Sequence, residues 1–335
     1  MAGDRPGRAV LPAPLGMLSP AGLNPVAAAG LAAALDYAGD ALAPHTLRAY
    51  AADWQHFVSW CAAAACDPLP AAPAAVAAYL AAIAPGYSRS ALHRRLAAIG
   101  HQHRLRNLEW SSGHAAIRTT MKGIARRHPV RKRQAAALTS VELKQLIAVC
   151  PGDRTGLRDR ALLLLGFAGA LRRSELVAID REHCRIAGNG LRLLLPRSKT
   201  DQAGEGVDLG IARGKRPETC PVRALEAWLE ASDCRYGPVF RKVDRWGNIE
   251  HARLHADAVR SILRNRATLA KLTVPSLERL SPHGLRAGFV TEAYLAGARD
   301  EQVMDHTRHK DLKTMRGYVR RARLVTDSAV KLLDI

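Results

Sequence analysis

Residues 161–176 read ALLLLGFAGALRRSEL, and this stretch indicates more about the fold than any other part of the sequence. Eight apolar or small residues come first, which predicts a buried helix that ends in glycine, at Gly169. Arginines follow at once, and Ser174 is expected to cap a second helix with Glu175 in its first turn. We therefore expect Arg172 to project from a rigid junction between two helices. An ordinary surface junction with an internal salt bridge would produce the same pattern.

The chain after this junction is expected to be helical except for one interval. Residues 191–195 (LRLLL) and 207–211 (VDLGI) flank a polar connection rich in turn formers. This pattern predicts a β-hairpin with Lys199 in its turn region. Helical spacing of apolar residues resumes in three segments, residues 222–229, 258–269 and 285–296.

The sequence before the junction predicts a small helical domain, a linker and a domain boundary near residue 135. Residues 126–133, RRHPVRKR, hold five Lys or Arg residues, one proline and no acidic residue, which is typical of an extended linker along phosphates. Thr139 and Glu142 form a capping box that opens the second domain. Apolar residues keep helical spacing in three earlier runs: Tyr50, Trp54, Phe57 and Cys61; Leu92, Leu96 and Ile99; Ile117, Met121 and Ile124.

The charge of the 335-residue chain points to a polyanionic partner. It has 50 Lys and Arg against 30 Asp and Glu, a formal net charge of +20. Such an excess attracts nucleic acid by releasing counterions from phosphates, but charge alone does not separate an enzyme from a packaging or structural protein. The outer faces of the helical domain are expected to carry a basic set that meets DNA, or else a merely solvated face: His93, Arg94, Arg95, His101, His103, Arg104 and Arg106.

The cysteines and the apolar segments bear on the compartment. Six cysteines include no CxxC pair and are typical of reduced cytosolic thiols. The first 25 residues are rich in Pro, Gly and Ala but lack the apolar core of a signal peptide, and no stretch approaches 18 uncharged apolar residues. We expect a cytoplasmic, nucleoid-associated protein without export or a membrane span.

A weaker signal is the pair His283 and Arg286, because HxxR occurs four more times in this chain. Its setting is different from that of the other pairs. Ser281 and Pro282 resemble an N-cap and the first helical residue, which places both side chains in a first turn. Backbone N–H groups there favour an anion, so the helix end, the imidazole and the guanidinium would hold a phosphate together.

These residues together resemble the tyrosine recombinase (phage integrase) family. The resemblance rests on their order and spacing: Arg172 in GALRRSEL, Lys199 in PRSKT, His283 and Arg286 in HGLR, His309, and Tyr318 nine residues later. The first domain resembles the family's core-binding domain at Thr46, Tyr50, Asp53, Trp54, Phe57 and Trp60. The resemblance therefore covers nearly the whole chain after the N-terminal arm.

The resemblance implies a mainly α fold with two domains. We expect a flexible arm over residues 1–25, a helical, SAM-like core-binding domain over residues 26–125 and a basic linker over residues 126–136. A mostly α catalytic domain with a small antiparallel β-sheet and a C-terminal helix follows over residues 137–335. DNA contacts are expected from seven residues of the first domain and the linker: Arg94, Arg95, Arg104, Arg106, Arg131, Lys132 and Arg133.

The resemblance also implies the chemistry, which is DNA cleavage and rejoining without metal, cofactor or ATP. Tyr318 would attack the phosphodiester and form a 3′-phosphotyrosine bond. Arg172 and Arg286 would clamp the phosphate, and Lys199 would be the general acid for the 5′ oxygen. His283 is expected to be the base or a phosphate ligand.

Two further residues complete the implied site. His309 is expected to donate a hydrogen bond to the phosphate and to help place Tyr318, while Glu175 would fix the arginine clamp. The nearest rival nucleophile is Tyr294, which is interpreted as a core residue. The spacing of His306 and His309 also suits a metal, but no third ligand stands nearby in the sequence.

Two features of the C-terminal part leave alternatives open. The family usually has glycine where this chain has Arg308, so the turn is expected to be less tight or to make an added DNA contact. The tail, residues 324–335, predicts a short helix that packs into a neighbouring protomer or into its own domain. The first option implies a tetramer on a double-stranded recombination site, with a Holliday junction and accessory DNA-bending proteins.

Two other functions use similar features. A type IB topoisomerase has closely similar chemistry, but the helical N-terminal domain favours a recombinase. A catalytically idle DNA-binding protein on this fold need not keep Lys199 and Tyr318, and this chain has both.

Overall fold

The computed structural model describes residues 24–129, 133–196, 206–276, 278–309, 311–322, 330 and 333. The chain divides into two compact units, Met1–Lys132 and Arg133–Ile335. Most of the predicted arm, Lys199 and nearly all of the predicted C-terminal helix lie outside the described residues. None of the helices that the structure describes has the length and apolar character needed to span a bilayer.

The described part of the first unit is helical. It forms α1 (Pro25–Asp40), α2 (Pro44–Ala63), α3 (Pro73–Ile83), α4 (Arg89–Leu105) and α5 (Ala115–Arg127). The three predicted apolar runs lie on α2, α4 and α5, and most of their side chains join one buried core. The helix α3 was not predicted separately, because its sequence PAAVAAYLAAI is apolar all round and shows no helical period.

Two residues of the predicted basic outer face are buried instead, so this part of the prediction is wrong. Arg95 is 6% exposed, and its Nη1 donates to the hydroxyl of Tyr79 at 2.8 Å. His103 is fully buried, where Nε2 accepts from the backbone N–H of Ala71 at 2.9 Å and Nδ1 contacts the carbonyl oxygen of Ile99. Both residues stand four positions from Ile99, so they lie on the apolar face of α4.

The described part of the second unit adds eight helices and seven short strands. The helices are α6 (Ser140–Ala148), α7 (Arg154–Ala168), α8 (Arg173–Val177), α9 (Pro221–Ala231), α10 (Ala256–Leu269), α11 (His283–Leu295), α12 (Asp300–Thr307) and α13 (Leu312–Ala322). The strands are β1 (Gln134–Ala135), β2 (Cys184–Ala187), β3 (Gly190–Leu195), β4 (Val207–Ala212), β5 (Arg241–Val243), β6 (Ile249–Arg253) and β7 (Glu278–Arg279).

The predicted hairpin and the predicted buried helix are both confirmed. Strands β3 and β4 pair antiparallel, with Leu193 opposite Leu209, and β2 adds a third strand that was not predicted. Helix α7 ends at Gly169, and the following Ala170 takes a left-handed backbone conformation with φ 45°. Four consecutive leucines of α7, residues 162–165, are almost fully buried in the main core of this unit, and Leu157 packs against that core while partly exposed.

The helix caps near the site differ in part from the predictions. The capping box at Thr139 is confirmed, with its backbone N–H 2.7 Å from Oε2 of Glu142. At α8 the N-cap is Arg172 and not Ser174, which lies inside the helix. Helix α11 begins at His283, one residue later than predicted, and its N-cap is Pro282. Ser281 does not cap the helix: its hydroxyl is buried without a hydrogen-bond partner among the described residues.

Helix α11 crosses the segment before α6 at very close range. A Cβ added at Gly288 would stand 1.8 Å from the carbonyl oxygen of Leu138, and one added at Gly284 would stand 2.3 Å from that of Ala136. The backbone N–H of Leu138 donates to the carbonyl of Gly284 at 2.9 Å. Only glycine fits at both positions, and this contact holds the first turn of α11 in place.

Candidate active site

The junction between α7 and α8 places Arg172 against a buried carboxylate. The backbone N–H of Arg172 donates to Oε2 of Glu175 at 2.9 Å, and its Nη1 donates to Oε1 at 2.5 Å. The Glu175 side chain is 2% exposed, whereas that of Arg172 is 22% exposed. The carboxylate therefore anchors one side of the guanidinium while part of it stays accessible.

Burial raises the pKa of Glu175, but the hydrogen bond from the Arg172 backbone and the charges of Arg308 and Arg172 outweigh that effect. The pKa of Glu175 consequently lies below its ordinary value. The group is ionised near neutral pH, as an anchor for two guanidinium groups requires.

Arg308, where the family usually has glycine, is part of this cluster. Its backbone is left-handed, with φ 58° and ψ 42°, a conformation that costs a residue with a Cβ roughly 1–2 kcal/mol. The turn is therefore as tight as a glycine turn, against one of the two predictions. The other prediction, an added DNA contact, stays a prediction; the side chain is 6% exposed and donates to Glu175 at 3.1 Å.

Arg286 reaches the same junction from the first turn of α11. It is 1% exposed, and its Nη1 donates to the carbonyl oxygen of Ala170 at 2.7 Å. Its Nη2 is buried and has no hydrogen-bond partner among the described residues. Burial, together with the charges of Arg172 and Arg308, lowers the pKa of Arg286 to about 10. It is still a cation at neutral pH, and no protein atom of the described ranges accepts from its Nη2.

The protonation of His309 follows from its hydrogen bonds. The hydroxyl of Thr307 donates to the carbonyl oxygen of Val303 at 2.6 Å, so it accepts from Nδ1 of His309 at 2.7 Å. Nε2 of His309 then has a free lone pair and accepts from Nε of Arg286 at 3.4 Å. In this structure His309 therefore orients Arg286, and Nε2 has no proton to donate to a phosphate.

The neutral form of His309 is also the one that its surroundings favour. Burial and the charges of Arg286 and Arg172 lower its pKa to about 4. Thr307 was missed by the sequence reasoning, although a hydroxyl two residues before His309 was a visible signal.

Tyr318 lies on α13 next to both histidines of the predicted site. Its hydroxyl is 2.6 Å from Nε2 of His283, and its ring centroid is 6.1 Å from that of His309. The rival Tyr294 packs with its ring in a small apolar cluster beside α13. The structure thus brings Arg172, Glu175, His283, Arg286, His309 and Tyr318 into one connected group.

The other predicted site residues are in different situations. Lys199, Arg131 and Lys132 lie outside the described residues. The remaining predicted DNA contacts other than the buried Arg95 are exposed: Arg94, Arg104, Arg106 and Arg133. Arg94 also donates to Asp53 at 2.7 Å.

His306 and His309 do not form a metal pair in this structure. Nε2 of His306 contacts the carbonyl oxygen of Ala168 at 2.7 Å, and the ring stacks on Phe289. Both nitrogens of His309 are engaged by Thr307 and Arg286. Within the described ranges, no group of three or more His, Cys, Asp and Glu side chains has metal-binding geometry.

Comparisons with known proteins agree with this geometry. The phage integrase family model matches residues 136–323, and the model of the phage integrase N-terminal SAM-like domain matches residues 38–105. An integrase/recombinase XerD homolog of Selenomonas ruminantium is 32% identical over 293 residues, which cover 86% of this chain and 85% of that protein. Tyrosine recombinase XerC of Pelotomaculum thermopropionicum is 30% identical over 240 residues and covers 70% and 71%.

Solved structures share the fold at low sequence identity. XerH site-specific recombinase bound to difH substrate has a TM-score of 0.54 and 15% identity, over 76% of this chain and 69% of that one. A lambda integrase (75–356) dimer bound to a COC′ core site has a TM-score of 0.53 and 15% identity, over 83% and 89%. The family match spans more than half of the chain, so the protein belongs to the phage integrase family and is a site-specific tyrosine recombinase that acts on DNA.

Proposed function

We propose that Tyr318 is the nucleophile that cleaves one DNA strand at the recombination site. The carrying observation is the 2.6 Å contact between its hydroxyl and Nε2 of His283, beside the arginines of the α7–α8 junction. His283 takes the proton as Tyr318 Oη forms a bond to phosphorus. The bond from phosphorus to the 5′ oxygen breaks, and Lys199 gives that oxygen a proton.

The arginines stabilise the charge that develops in this step. Arg172 is anchored on one side by Glu175, and Arg286 keeps Nη2 without a protein partner among the described residues. In this scheme both guanidinium groups donate to the non-bridging oxygens of the scissile phosphate. A single fixed donor of this kind typically contributes 10²–10³-fold to the rate, about 2.7–4 kcal/mol.

His309 acts on Arg286 in this scheme before it acts on the phosphate. Its Nε2 holds the guanidinium edge at Nε, and so directs Nη2 to the anion. A bound phosphate raises the proton affinity of the imidazole. Nε2 then takes a proton from solvent, gives up its contact with Nε of Arg286 and donates to the phosphate, as the family resemblance implies.

The phosphotyrosine bond stores the energy of the broken phosphodiester. A 5′ hydroxyl from a partner strand attacks the phosphorus and gives its proton to Lys199. The bond to Tyr318 Oη breaks, His283 returns the proton to that oxygen, and the strand is rejoined without ATP or metal. Two strands exchanged in this way produce a Holliday junction. We propose a tetramer on two double-stranded sites in the cytoplasm, at the nucleoid, with accessory DNA-bending proteins and with the tail, residues 324–335, exchanged between protomers.

The exposed arginines of the first unit support a DNA-contact role for that unit. Arg104 and Arg106 lie at the end of α4, and Arg133 opens the second unit. We propose that they bind backbone phosphates of the DNA together with Arg94, Arg131 and Lys132. Arg95 is not a DNA contact in this proposal because it is buried.

A suicide-substrate trap tests the nucleophile. Nicked duplexes that tile the DNA on either side of the gene are mixed with the protein without metal or ATP, and SDS-resistant adducts are mapped by peptide mass spectrometry. Tyr318→Phe should abolish the adduct and keep DNA affinity, whereas Tyr294→Phe should leave both unchanged. An adduct on another tyrosine contradicts the assignment, and bound DNA without any adduct favours an idle binder.

A further inference from the structure

Arg308 directly follows α12, but most of its side-chain hydrogen bonds are with residues of the α7–α8 junction. Its Nη2 lies 3.1 Å from Oε2 of Glu175 and 3.4 Å from each of the carbonyl oxygens of Gly169 and Ala170. Its Nη1 donates to the carbonyl of His306 at 3.0 Å, which is the contact that an ordinary helix cap makes. Four acceptors thus hold one guanidinium that does not reach the surface.

We propose that Arg308 is a positioning residue that neutralises and immobilises the Glu175 carboxylate, so that Arg172 and Arg286 present their full charge to the scissile phosphate. This inference rests on the proposed cleavage by Tyr318. It assigns a task to a position where the family usually has glycine and therefore no side chain.

The hydrogen bonds of Glu175 show how the task is divided. Oε1 accepts from the Arg172 side chain, while Oε2 accepts from the Arg172 backbone and from Arg308. Arg308 therefore leaves the Arg172 contact intact and supplies a second cation to the other oxygen. Without Arg308, Oε2 would accept only from the Arg172 backbone, and the carboxylate charge would offset the clamp.

The charge balance gives the functional consequence. Three guanidinium groups and one carboxylate meet here, so Arg172, Arg286 and Arg308 outweigh Glu175 by two positive charges. A phosphodiester carries one negative charge, and a phosphorane-like transition state carries more. Loss of Arg308 therefore affects the transition state more than the bound ground state, that is, the cleavage rate more than DNA affinity.

The backbone allows a clean test, because Arg308→Gly suits a left-handed residue and relieves strain. Arg308→Lys and Arg308→Gln form a matched pair, since both keep a Cβ and a long side chain but differ in charge. Lys271 is the control: it is an exposed cation with φ 52° at the end of α10, so Lys271→Gly makes the same backbone change away from the site.

The readouts are the single-turnover rate of adduct formation at saturating nicked duplex and the Kd for the same duplex. Arg308→Gly and Arg308→Gln should lose roughly 10- to 100-fold in rate, less than the 10²–10³ of a direct donor, with Kd changed by less than about threefold. Arg308→Lys should stay within about fivefold of wild type, and Lys271→Gly should match wild type. Equal rates for the Lys and Gln variants would overturn the inference.

A double-mutant cycle with Glu175→Gln separates this task from simple helix capping. With the carboxylate neutral, the loss caused by Arg308→Gly should shrink to below about threefold. A helix-cap role predicts the same loss in both backgrounds, and that result would overturn the inference.

A second measurement does not depend on cleavage. Inorganic phosphate should raise the Tm of wild type and Arg308→Lys more than that of Arg308→Gly and Arg308→Gln, and equal increases would contradict the inference. If the wild-type protein binds the duplex but forms no adduct, the proposed cleavage by Tyr318 is wrong. The Tm measurements with inorganic phosphate then test the role of Arg308 by themselves.

Discussion

The hydroxyl of Tyr318 lies 2.6 Å from Nε2 of His283, although the two residues are 35 positions apart. His283 lies in the first turn of α11, and Tyr318 lies in the middle of α13. The proposed nucleophile and the proposed base are therefore paired by two helices that both contribute to the short apolar cluster around Val290 and Met315.

This pairing predicts different behaviour for His283 and Lys199. A 5′-bridging phosphorothiolate substrate has a sulfur leaving group that needs no proton. Lys199→Ala should cleave the ordinary substrate about 10²–10⁴-fold more slowly than wild type, the usual contribution of a general acid, and should recover with the sulfur substrate.

His283→Ala should lose a comparable factor and should not recover, because the nucleophile would still lack its base. The measurement is the single-turnover rate of adduct formation on both substrates. Recovery of His283→Ala on the sulfur substrate would assign the acid role to His283 instead.

Arg172→Ala should reduce the cleavage rate about 10²–10³-fold and change Kd little, since a single phosphate contact contributes weakly to affinity. The control is Arg173→Ala, which removes the neighbouring, half-exposed arginine that pairs with Asp257. Rate and affinity are measured on the same nicked duplex. Equal losses in both for Arg172→Ala would exclude a role specific to the transition state.

The low pKa of His309 predicts a pH dependence of stability. The pKa falls from 6.5 in the unfolded chain to about 4 in the folded protein, so the unfolded chain binds more protons between these values. The free energy of unfolding should therefore fall as pH drops, by about 1–2 kcal/mol from this group between about pH 7 and about pH 5.

His309→Gln should remove that part of the pH dependence, as measured by urea unfolding at several pH values. The lowered pKa of His306 acts in the same direction and is present in both proteins, so it cancels in the comparison. Parallel curves for the variant and wild type would show that His309 is not held neutral in the folded protein.

The glycine contact on α11 predicts a large effect from a single methyl group. Gly288→Ala should lower the free energy of unfolding by about 1–3 kcal/mol or more, because the new Cβ would meet the backbone of Leu138. Gly317→Ala is the control, since its Cβ would meet nothing within 4 Å. It should be neutral or stabilising by up to about 1 kcal/mol, the gain in helix propensity. A Tm for Gly288→Ala equal to that of wild type would contradict the close crossing.

Much of the fold was predictable because the relevant signals are local. The apolar run of α7, the capping box at Thr139 and the alternation of β3 and β4 each depend on residues close in sequence. The grouping of Arg172, Arg286 and Tyr318 was also predictable, through the order of the motifs and not through any calculation of distance.

The remaining features depend on long-range packing. From the sequence alone Arg95 resembles a surface cation, but in the structure its guanidinium donates to Tyr79. Arg308 resembles a turn residue, but its side chain donates to Glu175. Serine is a favourable N-cap residue, and Ser174 and Ser281 were therefore predicted as caps. In the structure Arg172 is the N-cap of α8, and Pro282 is the N-cap of α11, without a side-chain hydrogen bond. No pattern within one segment contains this information.

The first residues of the second unit, 133–138, are hydrogen-bonded to the segment around β7 and to the first turn of α11. The Arg133 side chain donates to the carbonyl of Glu278, β1 pairs parallel with β7, and Leu138 is bound to Gly284. A force applied to the chain at Arg133 would be carried by β7, the strand that precedes His283 in the sequence. Such a force would therefore reach the first turn of α11, where His283 and Arg286 lie.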